Sequence, residues 1–193
     1  MLNNLFASAS TKTLNAIKQG DSDSLAKLIK KPQWAHLATE LCQTEDLLAL
    51  AINENQPDAL RLLLEAKVIS AKPEALYLAA LQNENSLSPI TLLLQHRVTA
   101  PQDLWEHCLT ELPSAKLTVH LSRLFEYGNT PSNLDLVLCN ILATNNQPLV
   151  YFAVSSFKAL PKTLDELDCD EDIKRYAKRC LEDIHLREQL SPF

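Results

Sequence analysis

Residues 49–68, ALAINENQPDALRLLLEAKV, and residues 79–98, AALQNENSLSPITLLLQHRV, align without a gap at an offset of 30. Ala49/Ala79, Asn53/Asn83, Glu54/Glu84, Asn55/Asn85, Leu62/Leu92, Leu63/Leu93, Leu64/Leu94 and Val68/Val98 are identical pairs. An Asn-Glu-Asn followed at fixed distance by a Leu triplet and a Val exceeds what leucine richness alone produces. Self-similarity at such a period marks a structural unit that cannot bury its apolar face alone and is completed by stacking on its neighbours.

Each unit reads as two short helices. In the first, Ala and Leu alternate with few large side chains, which lets helices approach closely. A polar turn follows at 53–56 or 83–88, then Pro57 or Pro89 where a first helical residue is expected, because Pro lacks the N–H that position leaves unused anyway. The Leu triplet rides on the second helix. Thr44 and Thr130 are expected N-caps, and Thr163 with Glu166 reads as a capping box. Outward from the duplicated stretch, the pattern predicts helices at 11–19, 22–31, 33–42, 45–54, 57–67, 73–83, 89–96, 101–112, 115–127, 131–145, 148–159 and 170–189. The 38 Leu and 20 Ala against 6 Val and 8 Ile, with only two Gly, favour helix over strand throughout. The fold class is therefore all-α.

Three stretches resemble ankyrin repeats, which pair a helix of the Leu-His-x-Ala-Ala type with a Gly turn and a second helix ending in Leu-Leu-Leu. They are Leu76-Tyr77-Leu78-Ala79-Ala80, Leu48-Ala49-Leu50-Ala51-Ile52 with Asn55 at the Gly position and Leu62-Leu63-Leu64, and Ala16-Ile17-Lys18-Gln19-Gly20-Asp21 with Leu25, Leu28 and Ile29. Leu124–Pro131 resembles a repeat end running into the next start, and Asn145–Pro148 echoes Asn55–Pro57. Asn at the Gly position is physically allowed, since Asn tolerates left-handed backbone. The resemblance covers roughly residues 11–160. It implies an α-solenoid of about five helix-pair, ankyrin-like repeats over 1–162, closed by a helical cap over 163–193. The segment 32–43 with Trp34 is an insertion, the unit at 73–98 has extra residues between its helices, and 101–128 has lost its Ala-Ala pair. The rival architecture is another helical-hairpin solenoid with longer repeats.

Net charge is −6, which disfavours nucleic acid or an anionic membrane as the main partner. Residues 1–34 are net positive and 163–193 net negative, as expected of solvated end-caps. Five cysteines, Cys42, Cys108, Cys139, Cys169 and Cys180, lack C-x-x-C spacing. They point to a reducing cytosol rather than a disulfide or zinc framework. Met1–Ser10 has no basic n-region and does not read as a secretory leader. No stretch approaches a membrane span.

Catalytic motifs do not emerge: no Gly-rich phosphate loop, no H-E-x-x-H, no G-x-S-x-G. His107-Cys108, with His120, is the one conceivable Cys–His pair. Adjacent helical residues diverge by about 100°, so Cys108 reads better as a small core residue. Glu182 and His185 are a lone i,i+3 pair, too few for a metal. Asp168, Asp170 and Asp172 alternate like a calcium loop, but Ile173 and Arg179 stand where Gly and Glu are required. No cofactor, no metal and no catalytic role are expected.

The expected function is a protein–protein interaction module. In ankyrin arrays the first helices and the loops before them form the concave binding face. The resemblance therefore implies a partner protein held by Lys72, Glu74, Tyr77, Gln102, Asp103, Trp105, Ser132, Asn133 and Asp135. Tyr77 and Trp105, each one residue past Leu76 and Leu104, are either exposed anchors or rings packed inside the array. A bacterial effector delivered to a host cytosol, or a toxin-neutralising protein, would use the same surface. An enzyme with a cryptic Cys–His site is the alternative from another class.

Overall fold

A computed structural model of the chain describes residues 8–190. The expectations for the first seven and the last three residues lie outside it. Among the described residues the protein is all-helical, with twelve α-helices, one 3-10 turn and no strand. The helices fall into two compact units, one ending at Pro101 and the other beginning at Gln102. The segment 163–190 thus belongs to the second unit.

In the first unit, α1 (Ala9–Gln19) pairs with α2 (Ser22–Ile29), α4 (Leu47–Asn53) with α5 (Pro57–Glu65), and α6 (Pro73–Leu81) with α7 (Leu87–Gln95). First helices pack on first helices, α1 on α4 and α4 on α6. Second helices pack on second helices, α2 on α5 and α5 on α7. The inserted segment forms α3 (Trp34–Cys42), which seals α1 with Trp34, Leu37, Ala38 and Leu41. The Leu triplets behave alike. Leu63 and Leu93 are wholly buried, Leu64 and Leu94 nearly so, and Leu62 and Leu92 half-buried. Three consecutive helical positions span about 200° of arc, so all three cannot reach the core.

The second unit repeats this logic. α8 (Leu104–Glu111) pairs with α9 (Ser114–Glu126), and α10 (Leu134–Ala143) with α11 (Gln147–Phe157). α8 packs on α10 and α9 on α11. After a 3-10 turn at Leu164–Glu166, α12 (Glu171–Leu190) lies along α11. It buries Ile173, Ala177 and Cys180. Three of its acids pair, Glu171 with Lys174, Asp172 with Arg175 and Glu188 with Lys158, and its Lys178 pairs with Asp165 of the 3-10 turn. Thr163 makes no capping bond, and Asp170 accepts from the N–H of Asp172 instead.

Left-handed residues mark the hairpin ends. Gly20, Asn55 and Asn145 end first helices; Lys67, Arg97, Gly128 and Lys158 end second helices. The second set is spaced at 30 to 31 residues, so the offset seen in the duplicated stretch runs on through both units. At Lys67 the N–H bonds to Leu64 O and the next N–H to Leu63 O. Arg97 does the same with Leu94 and Leu93, and Gly128 with Phe125 and Leu124. These paired bonds satisfy carbonyls the helix end leaves open. The capping side chains differ from expectation: Asp46 and Asn133 cap α4 and α10, not Thr44 and Thr130. Pro57 and Pro73 open their helices, whereas Pro89 is the third residue of α7, within its first turn, and Pro101 and Pro131 precede their helices.

Candidate functional site

Four hairpins are each closed by a polar link from the first helix or its cap to the loop after the second. In α4–α5, Asp46 accepts from the N–H groups of Leu48 (3.0 Å) and Ala49 (3.1 Å) and from the Ser70 hydroxyl. In α6–α7, the Tyr77 hydroxyl donates to Val98 O at 2.8 Å. In α8–α9, Trp105 Nε1 donates to Asn129 O (3.1 Å) and Oδ1 (3.0 Å). In α10–α11, Asp135 Oδ1 accepts from Lys162 N–H at 2.8 Å. Val98 and Asn129 each directly follow a left-handed cap, so the two aromatics perform the same task in successive hairpins.

That geometry corrects two expectations. Tyr77 and Trp105 are both 0% exposed and cannot be surface anchors. Each is large enough to fill the gap between helix and returning loop, and each spends its one polar hydrogen on a loop carbonyl. Burial pushes the Tyr77 phenol far above its usual range. Trp105 also meets Phe157 edge-on at 5.5 Å, and Phe157 meets Phe125 at 5.4 Å. Asp135 is half-buried and already engaged by Lys162.

The remaining candidates are exposed and sit at helix starts. Lys72 and Glu74 flank Pro73 at the start of α6. Gln102 and Asp103 precede α8, where Asp103 Oδ2 lies 3.3 Å from His107 Nε2. Ser132 precedes α10, and Asn133 caps it by accepting from the Leu136 N–H. In the first unit Pro73, next to Lys72, lines a larger feature. A groove of ≈ 530 Å³ runs between the loops that follow α5 and α7, lined by Val68, Ile69, Ser70, Pro73, Arg97 and Thr99 among others. A second trough of ≈ 530 Å³ lies between α3 and residues 66–69. Ile69 forms the ridge between them and is 81% exposed. Sequence reading passes over this ridge, because Ile69 lies in a loop outside any periodic pattern; its one signal is a large apolar residue between repeats.

The ionisable lining of the groove is Glu65, Lys67, His96 and Arg97, a cationic surplus. Among the described residues neither Lys67 nor Arg97 has an ion-pair partner. Elsewhere, Lys12, Lys27 and Lys31 line a trough of ≈ 340 Å³ between α1 and α2.

Nucleophilic chemistry finds no support at Cys108. Burial pushes its thiol up to about 12, which removes the thiolate a nucleophile needs. His107 faces Asp103, and His120 is buried on its own helix, its Nδ1 2.9 Å from Lys116 O. Among the described residues no three His, Cys, Asp or Glu side chains gather as a metal site, and no helix is long and apolar enough to cross a membrane. Compared with protein families, with characterised proteins and with solved structures, the chain matches none.

Proposed function

We propose that this chain is a protein-binding module whose hairpins continue one ankyrin-like repeat, with the groove beside Ile69 as its contact surface. The repeat reading draws support from the cap register at 67, 97, 128 and 158. Neighbouring first and second helices also pack like on like within each unit. The observation that carries the functional reading is Ile69. A large aliphatic side chain is held almost fully in water on a ridge between two concavities. Buried partner contacts in such pockets supply most of an interface's free energy. Lys72 and Glu74 flank Pro73 of the groove lining, and Gln102, Asp103, Ser132 and Asn133, exposed on the second unit, are separate candidate contacts. Tyr77 and Trp105 contribute from inside, by fixing the loops that follow their hairpins. The five unpaired cysteines suit a reducing cytosol.

A photoreactive amino acid placed at Ile69, and separately at exposed Asp183 on α12, tests the reading in cells of the source organism. One discrete adduct from position 69 and none from 183 is the expected result. No adduct from 69, or the same adducts from both positions, overturns the assignment of this surface.

A further inference from the structure

Four second helices end in left-handed residues, and three of those residues are cations: Lys67 at φ 57, Arg97 at φ 55 and Lys158 at φ 51, with Gly128 the fourth. Lys67, Arg97 and Gly128 share the paired bonds, while Lys158 caps α11 with a single bond to Val154 O. Side chains other than glycine rarely adopt this conformation. Gly128 shows that the hairpin closes without one. Lys158 reveals what the cation can do. Its amine pairs with Glu188 of α12, a helix packed along α11, so here a cap cation receives a carboxylate from the next element laid beside it. Lys67 and Arg97 also end second helices and, among the described residues, receive none. Both line the groove, with Glu65 as the lone acid of the lining.

We propose that this groove takes an acidic segment of a partner protein, whose carboxylates pair with Lys67 and Arg97 while an apolar side chain rests against Ile69. The inference rests on the binding-module reading and narrows it to a partner chemistry. Charge complementarity selects the occupant: an anionic peptide meets a net cationic wall, whereas a basic one would meet unpaired cations. Lys158 and Glu188 are the internal precedent. A rival account gives the cap cations to the helix dipole alone, since the last turns of α5, α7 and α11 hold no basic residue and that of α9 holds Arg123. The two accounts part at binding, because a dipole role moves stability and leaves ligand affinity unchanged.

The test uses the full chain and a fluorescein-labelled peptide of alternating Glu and Leu, with a Gln-for-Glu peptide as control. Wild type and the Lys18→Ala variant should bind the Glu peptide equally, with affinity falling as salt rises. The double variant Lys67→Ala, Arg97→Ala should bind it about tenfold more weakly, the sum of two partly exposed ion pairs. The Gln peptide should not bind. Equal binding to wild type and double variant, equal binding of both peptides, or no binding of the Glu peptide overturns the inference. A partner adduct at position 69 that survives both excess Glu peptide and the double substitution leaves the binding module standing and removes the acidic segment. Glu-peptide binding lost in the double variant, with no adduct at 69 in cells, supports the chemistry of the groove and removes the cellular reading. Self-association of wild type in sedimentation, abolished in the double variant, would make the occupant a second copy of this chain and overturn the partner-protein assignment.

Discussion

The hairpins α6–α7 and α8–α9 solve one structural problem with different residues. Each buries an aromatic on its first helix and aims its polar hydrogen at the carbonyl just past the left-handed cap of its second. Tyr77 has one acceptor, while Trp105 has two and meets Phe157 edge-on. The caps differ more sharply. In α8–α9 the cap is Gly128, around which an added Cβ would meet no atom within 4 Å. In α6–α7 the cap is Arg97, whose side chain enters the groove lining. Space therefore does not decide which residue sits at a cap. Glycine is favoured there by φ alone, and a cation at φ 55 stands against that preference. The comparison separates what closes a hairpin, the aromatic link, from what decorates it, the cap side chain.

Removing the aromatic link should give the largest effect. Trp105→Ala deletes a fully buried indole and its edge contact with Phe157, and leaves Asn129 O and Oδ1 without their donor. A loss of about 3–5 kcal/mol is expected, measured by urea unfolding. If Trp105 were a surface anchor, the change would stay within about 0.5 kcal/mol, and the equivalence with Tyr77 would collapse.

Tyr77→Phe tests the link more gently, because the ring stays and only the hydroxyl goes. The Val98 carbonyl loses its donor, and a cost of about 1–2 kcal/mol follows. The pH dependence carries a sign. Burial raises the folded pKa of Tyr77 above the ordinary phenol value of about 10. Its contribution is therefore complete below about pH 10 and is lost as pH rises above that, while the unfolded phenol ionises and the folded one does not. The wild-type minus Phe difference in unfolding midpoint should shrink as pH climbs past about 10. A difference independent of pH would place the Tyr77 hydroxyl in water.

Most of the architecture is legible in the sequence, because helix period, Leu triplets and turn residues are local signals. The duplicated stretch at 49–68 and 79–98 identifies two hairpins, and Asn55 and Asn145 adopt the left-handed turns expected of glycine substitutes. Exact helix starts are less legible. Asp46 takes the cap expected of Thr44, since Asp46 also gains the Ser70 hydroxyl, a contact 24 residues away that no local pattern displays. The candidate surface is the least legible part. Tyr77 and Trp105 are found at equivalent positions, but their acceptors lie 21 and 24 residues downstream, so the sequence identifies the pair without showing whether it faces in or out. Lys67 and Arg97 give no warning at all, because their importance is a backbone angle, and a Lys or Arg after a helix reads first as an ordinary solvated end. Ile69 likewise needs coordinates, since exposure depends on the two troughs beside it.

The smallest expected effect is the most discriminating, and it comes from exchanging the caps. Arg97→Gly relieves a left-handed residue other than glycine, worth about 1–2 kcal/mol at the outside. It also forfeits a cation beside the C-terminus of α7, worth about 0.3–1 kcal/mol at an exposed position. Glycine further loosens the unfolded chain, which subtracts several tenths more. The strain term is the largest, so the variant should be stabilised slightly, by about 0.5 kcal/mol. The reciprocal change, Gly128→Arg, imposes the strain in open space. Arg123 already serves the α9 terminus, so the dipole gain is small there and a loss of about 1 kcal/mol is expected. Both are read from urea midpoints at matched m-values. If Arg97→Gly destabilises while Gly128→Arg is neutral, the cap cations are structural, and the α6–α7 hairpin needs its arginine to fold. If Arg97→Gly stabilises and weakens the acidic peptide together, that residue is held at the cap against the preference of the fold, for what it meets in the groove.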